Sequence, residues 1–231
     1  MKLSIIIPVF NEFPRISKVI DKVVEESTFQ KEIIIIDDFS DDGTRELLKE
    51  KLLKKKIDIL ILNDRNYGKG YSVRQGFAKC SGDICLIQDA DLEYDPSDYK
   101  ILVEPIIKGE AEVVYGSRFY GSGIRRSMFF WHTIGNKFIT FVSNLFTNLN
   151  LTDVEVGYKV FKTEIIKKIN LEENRFGFEP EITAKISRLN IRIFEVGVNY
   201  YGRNYMEGKK ITWVDGFNAI WSIIKYNTFK K

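Results

Sequence analysis

The chain has 231 residues, 44% hydrophobic and 29% charged, the balance of one globular domain with a sizeable core. Lys and Arg number 35 against 32 Asp and Glu, a net charge of +3, too small an excess for a dedicated nucleic-acid binder, so no nucleic-acid partner is expected. A single histidine, His132, excludes a multi-histidine metal site, and Cys80 and Cys85 lack the companions of a zinc set, so both are expected to be reduced core residues of a cytoplasmic protein.

Leu3 to Val9 is a short β-branched run that predicts a strand, and it is too short before Asn11 and Glu12 for a secretion signal. From Arg15 to Glu26, Ile16, Val19, Ile20, Val23 and Val24 recur at helical spacing. Glu32 to Ile36 repeats the strand signal and ends at Asp37-Asp38, and Gly43 to Lys55 reads as a helix through Leu47, Leu48, Leu52 and Leu53. Ile57 to Leu62, Tyr71 to Ala78 and Ile84 to Gln88 continue as strand, helix and strand, the last ending at Asp89. Apolar strands alternating with amphipathic helices predict an α/β fold over residues 1–118, with a Rossmann-like, mostly parallel central sheet and helices on both faces.

Beyond Tyr115 the texture changes. Gly116, Gly121, Ser122 and Gly123 surround Arg118, Arg125 and Arg126 in a basic loop, 116–127, suited to gating an anion. From Ser127 to Leu149, Phe130, Ile134, Phe138, Phe141, Leu145 and Leu149 share one helical face opposite Asn136, Thr140, Asn144 and Thr147. This face is expected to cover the sheet, because apolar stripes generally belong to cores; the alternative is a helix at a membrane surface or lining a lipid groove. Val156 to Phe161, Pro180 to Leu189 and Ile191 to Val198 predict strand, helix and strand, and a last helix runs from Trp213 to Ile224. No apolar stretch reaches the roughly 18 residues of a transmembrane helix, so membrane contact is expected to be peripheral.

The strongest chemical signal is Asp89-Ala90-Asp91 directly after an apolar strand, followed by Glu93 and Asp95. Carboxylates two residues apart at the carboxyl end of a parallel strand can share one hard divalent ion that holds diphosphate oxygens, although strand-end aspartates also form ordinary turns. Pro8-Val9-Phe10-Asn11-Glu12 and the segment from Asp37 to Thr44 put polar groups in two further carboxyl-end loops. There Phe10 would flank a ring and Asp38 would accept a base N–H, while Asp42 or Thr44 suits a helix cap. Asn66-Tyr67-Gly68-Lys69-Gly70 offers close backbone approach and a lysine for phosphate, but neither the Walker nor the dinucleotide glycine pattern, so neither an ATPase nor a dehydrogenase is supported. From Tyr201 to Lys210, Arg203 and Lys209 stand beside two glycines able to hinge over an anion.

In order and spacing these elements resemble the family 2 glycosyltransferases, which have a GT-A fold, a nucleotide-sugar donor and an Asp-x-Asp metal site. Through the run from Gln88 to Pro96 and Gly116-Ser117-Arg118-Phe119, the chain is similar to polyprenyl-phosphate sugar transferases of the dolichol-phosphate mannose synthase type. The likeness continues from Thr152 to Phe161 and into Tyr201-Gly202-Arg203. It implies one domain over 1–231, with a nucleotide-sugar-binding half at 1–118 and an acceptor-binding half at 119–231. It also implies metal-dependent, inverting transfer from a UDP- or GDP-sugar to a polyprenyl phosphate, at the cytoplasmic face of a membrane.

By that resemblance Pro8, Phe10, Glu12, Asp38, Lys69, Gln88, Asp89 and Lys209 bind the nucleotide sugar, and Asp89, Asp91 and Glu93 ligate Mg²⁺ or Mn²⁺. Arg118 and His132 meet the acceptor phosphate, and Asp91, Arg203 and Asp153 act at the reaction centre. The chain departs from the pattern in three places: Phe10 replaces a tyrosine, the arginine and serine after the gate loop give way to Trp131-His132-Thr133-Ile134-Gly135-Asn136, and no transmembrane tail is expected to follow. A hydroxyl acceptor would need a general base, for which Asp153, Glu155, Glu179 and Glu181 are candidates, although Glu179 and Glu181 also suit a helix N-terminus. A third reading, a silent nucleotide-binding protein of the same fold, is opposed by the intact Asp89-Ala90-Asp91.

Overall fold

A computed structural model describes residues 1–121, 124–203 and 213–229. In β1 (Lys2–Val9) the consecutive Ile5, Ile6 and Ile7 are all buried, as happens when both faces of a strand are covered. β2 (Gln30–Asp37) pairs with β1 in parallel from Lys2↔Gln30 to Val9↔Asp37. β3 (Ile59–Leu62) extends the sheet beyond β2, and β4 (Ile84–Ile87) pairs on the other side of β1. β5 (Val113–Ser117), β6 (Lys159–Lys162) and β7 (Ile193–Gly197) complete the order β3-β2-β1-β4-β6-β5-β7. Among the described residues β6 alone runs against its neighbours.

The crossover helices follow from the apolar spacing. α1 (Phe13–Glu25) buries Ile16, Val19, Ile20 and Val23, and α2 (Thr44–Leu53) follows β2. α3 (Lys69–Lys79) packs so closely on β1 that a Cβ at Gly76 would collide with Ile6. The register Val9↔Asp37 brings the ends of β1 and β2 level, and β4 stops opposite Ile6 at Ile87, so the loops that follow the three parallel strands leave from one end of the sheet. Cys80 and Cys85 are free and buried.

Several boundaries shift from the sequence expectation. α4 (Tyr99–Ile107) and β5 are additional elements, and the strand expected at 156–161 begins at Lys159. A short α6 (Thr163–Ile166) follows it; α7 (Phe178–Ile186) starts before Pro180, and α8 (Trp213–Ile224) is found as expected.

The main correction concerns α5 (Phe130–Thr147), whose apolar face does not cover the sheet. Phe130 is 66% exposed, Phe141 63% and Leu145 71%, and neighbouring Trp131 is exposed too, whereas Thr140 and Ser143 are buried. The polar edge turns inward because the 151–154 loop needs partners for its backbone. Asn144 Nδ2 donates to the Leu151 carbonyl (2.7 Å), Asn144 Oδ1 accepts from Leu151 N–H (3.1 Å), and Thr140 Oγ1 accepts from Val154 N–H (3.2 Å). α8 packs beside α5 and adds exposed Phe217 and Trp221 to the same outer surface.

Candidate active site

The carboxyl-end loops of β1, β2 and β4 open into a cavity of about 1140 Å³. Pro8, Phe10, Glu12, Asp38, Lys69, Asp89, Asp91, Glu93, Arg118, His132 and Arg203 all line it. Gln88 and Asp153 stand behind the wall, and Lys209 lies outside the described residues. Gln88 is fully buried; its Oε1 accepts from the hydroxyls of Tyr99 and Tyr158, both at 2.8 Å, and its Nε2 donates to the Asp89 carbonyl at 2.9 Å. It therefore fixes the chain at Asp89 rather than facing the cavity.

At the end of β1, Asn11 has φ 50°, a left-handed turn that swings the chain out of the strand after Phe10. The Asp38 carboxylate accepts from Asn63 Nδ2 (2.8 Å), Tyr67 N–H (2.9 Å) and Gly68 N–H (2.7 Å). These bonds commit Asp38 to ordering the loop that delivers Lys69 at the start of α3. Gly68, at φ 104°, also passes so close to Asn174 that a side chain there would collide with its carbonyl.

Cations interleave with the carboxylates at the end of β4. Lys69 Nζ lies 2.9 Å from both Asp89 Oδ1 and Glu179 Oε1. Burial alone would lower the Lys69 pKa, but the two carboxylates push it up and keep it a cation. Arg203 reaches Asp91 Oδ2 at 2.7 Å, Glu93 Oε1 at 3.3 Å and Glu12 Oε1 at 3.3 Å. Glu93 also accepts from the Tyr200 hydroxyl (2.9 Å) and from Arg203 N–H (2.8 Å), so it anchors the 200–203 segment. Burial, followed by the charges of Glu93 and Asp89, pushes Asp91 up to about 7.

The donor set suits a hard divalent cation. Mg²⁺ is commonly held by one or two carboxylates plus substrate phosphates, and Asp89 and Asp91 supply two such groups on one turn. Gly157 keeps space beside Asp89, where a Cβ would collide with Oδ2. Among the described residues no three acidic, thiol or imidazole groups converge into a ready-made cage.

On the other wall, Arg118 makes a paired contact with Asp153: Nε to Oδ2 and Nη2 to Oδ1, each at 2.7 Å, reinforced by Arg118 N–H to Oδ2 at 3.1 Å. Asn136 joins this pair when its amide is turned to donate to Asp153 Oδ1 (3.2 Å) and accept from Arg118 Nη2 (2.7 Å). His132 faces the same space from α5, beside Phe129.

The sequence signal at 176–181 conflated two different acids. Glu181 is structural: it accepts from Glu172 N–H (2.7 Å) and Glu173 N–H (2.8 Å) and pairs with Lys185 (2.6 Å). Glu179 instead faces the cavity with Glu155. Among the described residues Glu155 Oε1 and Glu179 Oε2 are buried without hydrogen-bond partners. Burial, then the nearby Glu179 charge, pushes Glu155 up to about 8, and burial brings Lys159 behind them down to about 8.

The family model described as "Glycosyl transferase family 2" matches residues 4–170. The chain is 31% identical over 217 residues to a dolichyl-phosphate beta-glucosyltransferase of Dictyostelium discoideum, covering 86% of this chain and 66% of that one. It is 28% identical to a dolichol-phosphate mannosyltransferase of Pyrococcus furiosus, covering 91% of this chain and 61% of that one. An undecaprenyl-phosphate mannosyltransferase of Micrococcus luteus is 26% identical, with 90% and 87% covered. The chain thus spans just under two thirds of the first two proteins' lengths. In fold it is similar to the glucosyl-3-phosphoglycerate synthase of Mycobacterium tuberculosis, solved with Mn²⁺ and UDP, at TM-score 0.74 and 19% identity over 98% of this chain and 80% of that one.

Proposed function

The chain belongs to glycosyl transferase family 2, and on that premise we propose that it transfers a sugar from a nucleotide-sugar donor to a polyprenyl phosphate, with inversion at the anomeric carbon. The GT-A architecture and glycosyltransferase activity come with the family; the acceptor, the metal and the residue roles are the proposal.

The observation that carries it is the shape of the cavity. Its inner end is lined by Asp89, Asp91 and Lys69, while Phe129, Trp131, Phe138 and Phe217 both line its mouth and are exposed to solvent. An apolar mouth continuous with an aromatic outer surface suits a lipid chain that enters from a bilayer with its phosphate leading. Arg118 and Arg126 stand on the path of that phosphate. The polyprenyl-phosphate activities named for the relatives agree with this reading. Among the described residues no helix is long and apolar enough to cross a membrane. The exposed aromatic faces of α5 and α8 are the surface we assign to contact with the cytoplasmic face of a bilayer.

Pro8, Phe10, Glu12 and Asp38 bound the nucleoside end of the cavity, and Lys209 completes the expected donor set. A divalent ion, Mg²⁺ or Mn²⁺, held by Asp89 and Asp91 with Glu93 as a third candidate, would neutralise the donor diphosphate. Lys69 and Arg203 add fixed positive charge where the departing nucleoside diphosphate gathers its own. Arg118, locked by Asp153, and His132 orient the acceptor phosphate. A phosphate monoester has a second pKa of about 6 and is largely ionised near neutrality, so attack needs no strong base. Gln88 acts from behind by setting the Asp89 backbone.

Labelled UDP-, GDP- and dTDP-sugars offered with a short polyprenyl phosphate, and with Mn²⁺, Mg²⁺ or chelator, test the assignment by organic extraction. Chelator-sensitive label is expected in the organic phase. Donor consumption with all label left in water would move the acceptor to a hydroxyl.

A further inference from the structure

We propose that Glu195 is a positioning residue for the acceptor phosphate: from β7 it fixes the backbone that aims Arg118. The proposal rests on the function above, in which Arg118 meets that phosphate, and deepens it by naming what holds the arginine in place.

The segment 151–154 lies between α5 and β6 with neither helix nor strand of its own, and Asp153 within it is fully buried. Its four consecutive backbone N–H groups are met by side chains instead. Asn144 and Thr140 of α5 take those of Leu151 and Val154. Glu195 takes the two between: its carboxylate accepts from Thr152 N–H at 2.9 and 3.0 Å and from Asp153 N–H at 3.1 Å. Among the described residues it is the one charged acceptor for these four groups, and charge-assisted bonds are roughly twice as strong as neutral ones.

Two routes lead from these amides to Arg118. Along the first, Asp153 presents its carboxylate to the guanidinium, so a shift of the 152–153 backbone swings the acid and the arginine together. Along the second, the Thr152 hydroxyl lies 2.6 Å from Ser117 Oγ, which accepts from Phe119 N–H and Tyr120 N–H, both at 3.0 Å. Ser117 precedes Arg118 and shapes the exit from β5, so Glu195 governs where that side chain starts as well as where it ends. The pairing Tyr115↔Glu195 ties the same strand to the one that delivers Arg118. Glu195 does not line the cavity, so it reaches the phosphate only through the direction of Arg118.

The test uses the full chain with a short polyprenyl phosphate and the nucleotide sugar that serves the wild type best, with kcat and KM by organic extraction and affinity for UDP or GDP with Mn²⁺ by calorimetry. Glu195→Leu removes the acceptor at similar volume, and Glu195→Gln keeps an oxygen for the two amides. Glu195→Leu should raise KM for the polyprenyl phosphate about tenfold or more, with KM for the nucleotide sugar and diphosphate affinity within about twofold. Glu195→Gln should restore the acceptor KM to within about threefold of the wild type. Added to Arg118→Lys, which loses the paired contact, Glu195→Leu should change the acceptor KM by less than about twofold further, because both act on one route. If the leucine variant does not fold, Glu195→Asp, which keeps the charge but draws it back by one methylene, carries the same test with a rise of at least about threefold. An unchanged acceptor KM, parallel rises for both substrates, or the full rise repeated in the Arg118→Lys background would overturn the role of Glu195 alone. Failure of the wild type to use any polyprenyl phosphate would instead overturn the proposed function, and that role with it.

Discussion

At the scale of single residues, the site is built from acids that differ in what they are free to do. Asp153 is buried and its two oxygens face Arg118, so it serves as the holder of that guanidinium. Asp153→Asn should destabilise the fold by about 3 kcal/mol, the typical cost of breaking a buried ion pair, and raise KM for the acceptor. Its pH-rate profile should keep the wild-type shape; loss of the acidic limb of kcat would mark Asp153 as a base after all. Glu155 lacks such a holder, and its pKa rises from 4.5 to about 8 because the fold tolerates its neutral form better than its charged one. Its stabilising contribution is therefore full below about 4.5 and is lost as the pH climbs through about 8. Urea denaturation at about pH 5 and about pH 8 should show a smaller loss of stability in Glu155→Gln than in the wild type. An equally steep loss in both would contradict the assignment.

At the scale of elements, α5 shows where a periodic pattern informs and where it misleads. The 3.6-residue spacing located the helix but not which side faces in, because hydrophobicity alone cannot count the backbone partners a neighbouring loop demands. Asn144 and Thr140 meet that demand for Leu151 and Val154, and the aromatic face is left outside. Replacing Trp131, Phe138 and Phe141 together by Ser should thus leave stability within about 0.5 kcal/mol per site, as for other exposed positions. Sedimentation with phosphatidylcholine–phosphatidylglycerol vesicles should fall at least about a hundredfold, since each buried aromatic contributes about 1.5–3 kcal/mol. Unchanged vesicle binding would remove the membrane role of this surface. Elsewhere the early strands and helices were legible because buried parallel strands are uninterrupted in sequence. α4 was harder to read because Pro105, disfavoured in a helix interior, stands within it.

At the scale of the whole molecule, the sequence disclosed the rim, since Asp38 directly follows β2, Lys69 opens α3 and Asp91 lies in the turn after β4. It did not disclose the partnerships across the rim. Lys69 with Glu179, Arg203 with Glu12, and Arg118 with Asp153 join residues far apart in the chain, and spacing carries no record of them. Because the carboxylates at β4 repel one another, Mn²⁺ with a nucleoside diphosphate should stabilise the protein, by about 2.7 kcal/mol at a hundredfold excess over Kd. The corresponding rise in Tm, several degrees, should vanish in Asp91→Asn; an equal rise would exclude Asp91 from the metal site. The most direct measurement supplies a polyprenyl phosphate whose phosphate carries heavy oxygen and follows product and released nucleotide together. Attack by the acceptor phosphate predicts an organic-phase sugar–phosphate–polyprenyl product that retains every labelled oxygen, with an equimolar, unlabelled nucleoside diphosphate. Sugar recovered only in water, or release of a nucleoside monophosphate, would contradict it.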